Sequence, residues 1–229
     1  MLISLKIQHE EDYRRTLYKS NAERVTIRIN CPFELENRIP AETTLLDKLT
    51  GLFKAKPDLI ENVVLHVHGG GFIGMSSYSH QIYTSKWANE LKLPIFSVDY
   101  RKAPEFPYPM ALDDCLEAYL WLVYVFPQLF AGTVKKIILV GDSAGGNLVA
   151  SLTNLLIKLG LRKPDAIFLI YPALNLDEKA FTPSLLYTLD DYILPHTYLK
   201  LCARAYCQGY RNLNDYFLSP IKTPKEILR

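Results

Sequence analysis

The sequence predicts an α/β fold with a doubly wound, mostly parallel sheet. Three observations predict it. Short apolar runs at 62–67, 94–98, 136–141 and 166–170 read as buried strands. Helical patterns separate them, which is the rhythm of right-handed β-α-β crossovers. Two glycine-rich stretches, 68–71 and 141–146, fall where strands give way to loops. In such sheets that is the carboxyl end, where ligands bind.

The most informative element is the stretch Lys135–Leu159. Its strand, Ile137–Val140, ends at Gly141, and a helical pattern follows Gly145. Gly141 and Gly145 frame Ser143 as G-x-S-x-G, the spacing of a nucleophile elbow. A turn that sharp is strained, and a side chain at either glycine would strike the neighbouring strand or helix. It leaves the serine at a helix N-terminus, where free N–H groups and the dipole favour negative charge. An oxyanion formed in acyl transfer would sit beside the N–H of Ala144.

Upstream, the strand Asn62–Val67 runs into His68-Gly69-Gly70-Gly71-Phe72. Three successive glycines let the backbone aim N–H groups at one place. His66 and His68 share a strand face, but no third or fourth ligand has metal spacing, so no metal is expected. His68 is expected to orient the loop by hydrogen bonding.

The remaining elements follow in order. Residues 10–24 and Ala41–Lys54 have helical spacing, and Val25–Ile29 alternates like a half-buried edge strand. Residues 1–61 read as an N-terminal cap or edge segment, and 62–229 as the core. Ser79–Leu91 reads as a helix. The charges of 99–105 read as turn-fixing ion pairs. Met110–Phe126 is expected to be one helix, with Asp113 and Asp114 favourable in its first turn and pointing apart. Ala166–Ile170 reads as a buried strand. Residues 174–216 break the rhythm and read as an inserted region near the site, part of an acyl-chain pocket.

Composition narrows the function. With 49 % hydrophobic residues in 229, a large core can form. A net charge of +2 is too balanced for nucleic acid or an anionic membrane as main partner. Cys31, Cys115, Cys202 and Cys207 lack C-x-x-C spacing and read as free thiols in a reducing compartment. The N-terminus is too charged for a secretory signal. The apolar run 116–131 falls short of the ~20 residues of a membrane span.

Together HGGGF at 68–72, DYRKAPEFPYP at 99–109, DD at 113–114 and GDSAGGNL at 141–148 resemble the hormone-sensitive lipase family of α/β-hydrolases. WANELKLP at 87–94, YPA at 171–173 and LDDYILP at 189–195 look closer to its animal-type members than to its bacterial esterases. The resemblance implies an α/β-hydrolase fold and hydrolysis of carboxylic esters, from short acyl esters to acylglycerols, without cofactor. By position Ser143 would be the nucleophile. Gly70, Gly71 and Ala144 would donate to the oxyanion, each worth ~3 kcal/mol, with Gly69 shaping the loop. It also implies a cytoplasmic protein and a lipid-droplet surface as a partner.

The family's acid and histidine lie beyond the segment matched by Ser219-Pro220. After Ser219 there is no Asp or His, and Glu226 is the one carboxylate. His196 is the sole histidine after Ser143. Asp190 and Asp191 do not match the acid's position. No acid or base is therefore assigned. The sheet is expected to be truncated before its last strands, leaving an unpaired apolar edge, and the chain alone to be inactive. Two alternatives are a hydrolase-fold protein that binds a ligand or lipid without turnover, and a peptidase on the same fold.

Overall fold

The computed structural model describes residues 2–6, 24–33, 60–129, 132–177, 183–189, 191–212 and 214–228. The helical spacing expected at 10–24 falls almost wholly outside them, and that at 41–54 wholly outside. The described strands are β1 (Leu2–Lys6), β2 (Arg24–Asn30), β3 (Ile60–Val67), β4 (Ile95–Asp99), β5 (Gly132–Asp142) and β6 (Ala166–Ile170). They form one sheet in the order β1-β2-β4-β3-β5-β6. β4, β3, β5 and β6 run parallel, and β2 is antiparallel to both β1 and β4.

Each strand's sequence explains its place. In β3 the run Val63–Val67, apolar but for His66, is buried on both faces, as a central parallel strand requires. Val25, Ile27 and Ile29 of β2 are buried while Thr26 and Arg28 are half-buried, as the alternation predicted. β2 is not an edge strand, however, because β1 pairs outside it. Alternation reports one buried face and says nothing of neighbours in the sheet. β6 differs too: it was expected to be buried, yet Ala166, Ile167 and Phe168 are exposed. It is the edge of the described sheet, and an apolar run does not distinguish a covered face from an open one.

The helices divide between the faces. Ala88 and Trp87 of α1 (Gln81–Leu91) pack on Val64, Ile95 and Val140. On the other face, α2 (Met110–Leu120) and α4 (Ala144–Lys158) cover Val63, Leu65, Phe96, Ile137 and Leu139. The single helix expected at 110–126 is α2, a π-helical turn at Trp121–Val125, and α3 (Phe126–Leu129). Pro127 has no N–H to donate, and the wider turn comes just before it. Two further helices, α5 (Ser184–Tyr187) and α6 (His196–Cys207), lie within residues 174–216, the stretch expected to be inserted. Asn147 of α4 donates to the carbonyls of Ala173 (2.8 Å) and Leu218 (3.0 Å), tying the last described segment to the helix behind Ser143.

The charges after β4 fix turns, as expected. The Asp99 carboxylate accepts from the Ser77 amide at 2.8 Å and its hydroxyl at 2.7 Å. Asp114 accepts from the Arg101 amide (2.7 Å), Nε (3.0 Å) and Nη2 (2.8 Å). Asp113 and Asp114 were expected to point apart, yet Arg101 Nη2 also lies 3.9 Å from Asp113 Oδ2. The guanidinium is broad enough to span both carboxylates. Asp114 is 1 % exposed and Arg101 half-buried, so losing Asp114 strands a partly buried cation and an amide. Asp114→Ala is expected to cost about 3–5 kcal/mol in urea denaturation, and a loss below 1 kcal/mol would contradict the pairing.

Candidate functional site

β3 and β5 end side by side, with Val67 opposite Gly141 as the last register pair. The glycine loop leaves one strand and the serine turn leaves the other at the same level. Ser143 has φ 52° and ψ −115°, a strained conformation for a residue with a Cβ. Its surroundings hold it there. The Ser143 amide donates to the Ile170 carbonyl (2.9 Å), and its carbonyl accepts from the Ala173 (3.0 Å) and Asn147 (3.2 Å) amides. A Cβ on Gly141 would strike the Gly145 carbonyl, and one on Gly145 the Val67 carbonyl. Ser143 is half-buried. Ala144 opens α4, so its amide is among those that a helix leaves without an internal acceptor.

In the glycine loop, Gly70 (φ 115°) and Gly71 (φ 62°) adopt backbone that favours glycine. Their amides donate to no acceptor among the described residues. The Gly69 amide donates to Asp142 Oδ1 at 3.0 Å. His68 is fully buried and stacked on Tyr100, with ring centroids 4.3 Å apart. Its Nδ1 donates to the Gly69 carbonyl (2.6 Å), and its own carbonyl accepts from the Tyr100 hydroxyl (2.9 Å). Burial lowers the His68 pKa to about 4, opposed by that Gly69 carbonyl. Helix α6 backs the loop. Cys202 Sγ lies where a Gly71 side chain would go, and Phe72 stacks on Tyr206 with centroids 3.9 Å apart.

Sequence reasoning missed a polar cluster between these loops. The Asp142 carboxylate accepts from Gly69 and from the Tyr83 hydroxyl (3.3 Å). Its Oδ2 lies 3.5 Å from His80 Nε2. His66 Nε2 donates to Tyr83 (3.0 Å) and its Nδ1 accepts from Ser97 (3.2 Å), so the ring is satisfied when neutral. Burial lowers the His66 pKa to about 3, with Asp142 opposing and the other two histidines assisting. For His80 burial pulls downward, but the hydrogen bond and charge of Asp142 reverse it and the net shift is upward. Burial pushes the Asp142 carboxyl up, but the hydrogen bond and charge of His80, with His66 and the Gly69 amide, together hold it below the usual carboxylate range. One signal was available: Asp142 is the variable residue beside the serine in the elbow motif.

Other candidates lie elsewhere. Asp191 is exposed and accepts the Ile193 and Leu194 amides, while Asp190 is outside the described residues. His196 opens α6, its amide on the Thr188 carbonyl. Among the described residues no histidine hydrogen-bonds Ser143, and no group of three or more His, Cys, Asp or Glu could hold a metal ion. A surface groove of about 400 Å³ is lined by residues of 99–106 and Thr26, none of them in the elbow or glycine loop. All four cysteines are free. No described helix is long and apolar enough to cross a membrane.

Comparison with known proteins agrees with the fold. Residues 64–229 match the family described as alpha/beta hydrolase fold. Hormone-sensitive lipase of Mus musculus is 45 % identical over 144 residues, 63 % of this chain and 19 % of the lipase. Esterase LipU of Mycobacterium tuberculosis is 34 % identical over 138 residues, 60 % of this chain and 44 % of the esterase. The hyperthermophilic esterase of Pyrobaculum calidifontis superposes with a TM-score of 0.71 at 27 % identity, over 88 % of this chain and 59 % of that one. The match thus spans about a fifth of the mouse lipase and under three-fifths of the solved esterase. The chain belongs to the α/β-hydrolase fold family, with hormone-sensitive lipases among its relatives.

Proposed function

We propose that this sequence carries the nucleophile and oxyanion half of a carboxylic ester hydrolase, with acyl esters or acylglycerols as substrates. The observation that carries it is Ser143 at φ 52° between β5 and α4, beside a loop whose Gly70 and Gly71 amides are unused among the described residues. Ser143 Oγ would attack the ester carbonyl, and the amides of Gly70, Gly71 and Ala144 would receive the developing oxyanion. The alcohol would leave, and water would then release the acid from the acyl-serine. Gly69, whose amide donates to Asp142, shapes the loop and is not an oxyanion donor. No cofactor enters this chemistry. The free cysteines fit a reducing, cytoplasmic setting; a lipid-droplet surface would suit acylglycerols.

The attack needs a base, and the described residues offer Ser143 none. His66 and His68 are buried, held neutral and committed elsewhere. The 229 residues alone are therefore proposed to be nearly inactive, about a millionfold below a complete triad. The test is hydrolysis of p-nitrophenyl butyrate by the chain beside Ser143→Ala, with mass analysis after long exposure to an alkyl fluorophosphonate in the presence of imidazole as the missing base. The expected result is negligible turnover in both and a phosphonyl adduct on Ser143 only. Turnover that Ser143→Ala abolishes would confirm the nucleophile and overturn the missing base, with His80 and His196 the next substitutions. Absence of both turnover and adduct would sink the nucleophile and favour a ligand-binding protein.

A further inference from the structure

We infer that Asp142 is a positioning residue that clamps the glycine loop to the serine turn, and that its pairing with His80 sets the strength of the clamp. Beyond Val67 and Gly141 no backbone ladder joins β3 to β5. The described link between the two loops past that pair is the hydrogen bond from Gly69 to Asp142 Oδ1. Gly69 suits it because a Cβ there would collide with the Asp142 carboxylate and lie 3.0 Å from its carbonyl oxygen. Three segments thus meet at one carboxylate: the glycine loop, the start of α1 with His80 and Tyr83, and the end of β5.

His80 is 4 % exposed and has an acceptor at each ring nitrogen. Nδ1 lies 3.1 Å from the Ser76 carbonyl, and Nε2 faces Asp142. A neutral imidazole can donate to Asp142 while its Nδ1 accepts from the Ser79 hydroxyl 3.0 Å away, whereas the imidazolium donates to the Ser76 carbonyl and Asp142 together. From β3 and the residue after it the ring is faced by His66 and His68, at centroid distances of 5.8 and 5.5 Å. From α1 it is faced by Tyr83 at 5.5 Å, from β5 by Asp142, and from β4 by the charge of Asp99. The two other histidines are held neutral by burial, which leaves His80 as the cation of the cluster. Asp142 is an acceptor-only carboxylate in either state of His80; the imidazolium anchors its Oδ2 to the start of α1 and so fixes Oδ1 against the Gly69 amide. Aiming Gly70 and Gly71 at the same point as Ala144 is the catalytic consequence, which rests on the function proposed above. The clamp itself does not rest on it.

The test follows amides and histidines by NMR in the 229-residue chain, with no substrate. In the wild type the Gly69 amide is expected to be protected from exchange, and its shift to titrate with the His80 ring at a midpoint above 6.5. Asp142→Asn is expected to cut Gly69 protection about tenfold or more, since a charge-assisted bond is lost, and to lower the His80 midpoint. His80→Gln is expected to abolish the Gly69 titration. Amides of Leu139 and Val149 report global unfolding; should Asp142→Asn lower these equally, His80→Gln and Tyr83→Phe decide. A Gly69 shift that stays flat through the His80 titration, or still titrates in His80→Gln, would overturn the clamp. So would unchanged Gly69 protection in a folded Asp142→Asn. An intact clamp in a chain whose Ser143 forms no phosphonyl adduct would refute the proposed nucleophile and leave this inference standing.

Discussion

Gly145→Ala is expected to destabilise the chain by more than about 4 kcal/mol, a large share of the 5–15 kcal/mol that holds a domain folded. Helix propensity alone predicts the opposite sign, since alanine inside a helix is favoured over glycine by about 1 kcal/mol. The contacts decide. A Cβ on Gly145 would overlap the Val67 carbonyl oxygen and lie 2.7 Å from that of His68. Both are backbone atoms at the end of β3, which is paired to β4 on one side and β5 on the other. β3 cannot retreat without breaking two ladders, and α4 cannot retreat without opening the core that Leu148, Val149 and Leu152 fill at full burial. Gly160→Ala is the control. Nothing lies within 4 Å of its Cβ, so only its positive φ (66°) opposes alanine, at about 1 kcal/mol. Urea denaturation of the two variants checks the contrast. A Gly145→Ala chain as stable as the wild type would mean that strand and helix do not approach this closely.

That clash explains why the elbow was legible in the sequence. Close approach admits only glycine at 141 and 145, so the geometry writes itself as G-x-S-x-G. The parallel core was legible for a related reason. Strands covered on both faces are almost wholly apolar: Ile137–Val140 is apolar throughout, and Val63–Val67 is broken only by His66. What escaped depends on partners distant in the chain. β1 is five residues long, and nothing in LISLK says that it pairs beside β2. Phe168 is 66 % exposed in a strand whose composition matches its buried neighbours. The cluster of His66, His80, Tyr83 and Asp142 joins residues up to 76 positions apart, and no spacing encodes it. Asp113 and Asp114 were readable as structural, but not that one arginine serves both.

Acid should weaken the fold well before its carboxylates protonate, by about 3 kcal/mol between pH 6.5 and pH 5. The cause is the pair of buried neutral histidines, His66 with a folded pKa of about 3 and His68 of about 4. In the unfolded chain both ionise near 6.5. Below that value the unfolded state binds protons that the folded state refuses. Each histidine then costs up to about 1.4 kcal/mol per pH unit, and roughly half of that total by pH 5. The neighbouring groups act in other windows. His80, with its folded pKa raised, contributes stability that is full below 6.5 and lost as pH rises through its folded value. Asp142, with its pKa lowered, contributes stability that is present above the usual carboxylate range and lost only as pH falls through its folded value. Neither adds to the slope between pH 6.5 and 5. Urea denaturation at pH 6.5, 6 and 5 should therefore give a slope near 3 kcal/mol per unit at its acid end. His68→Asn should remove about half of it, since its amide can still donate to the Gly69 carbonyl but cannot take up a proton. A flat profile over that range would show that the imidazoles beneath the glycine loop accept protons in place, and that the loop is less tightly sealed than its burial implies.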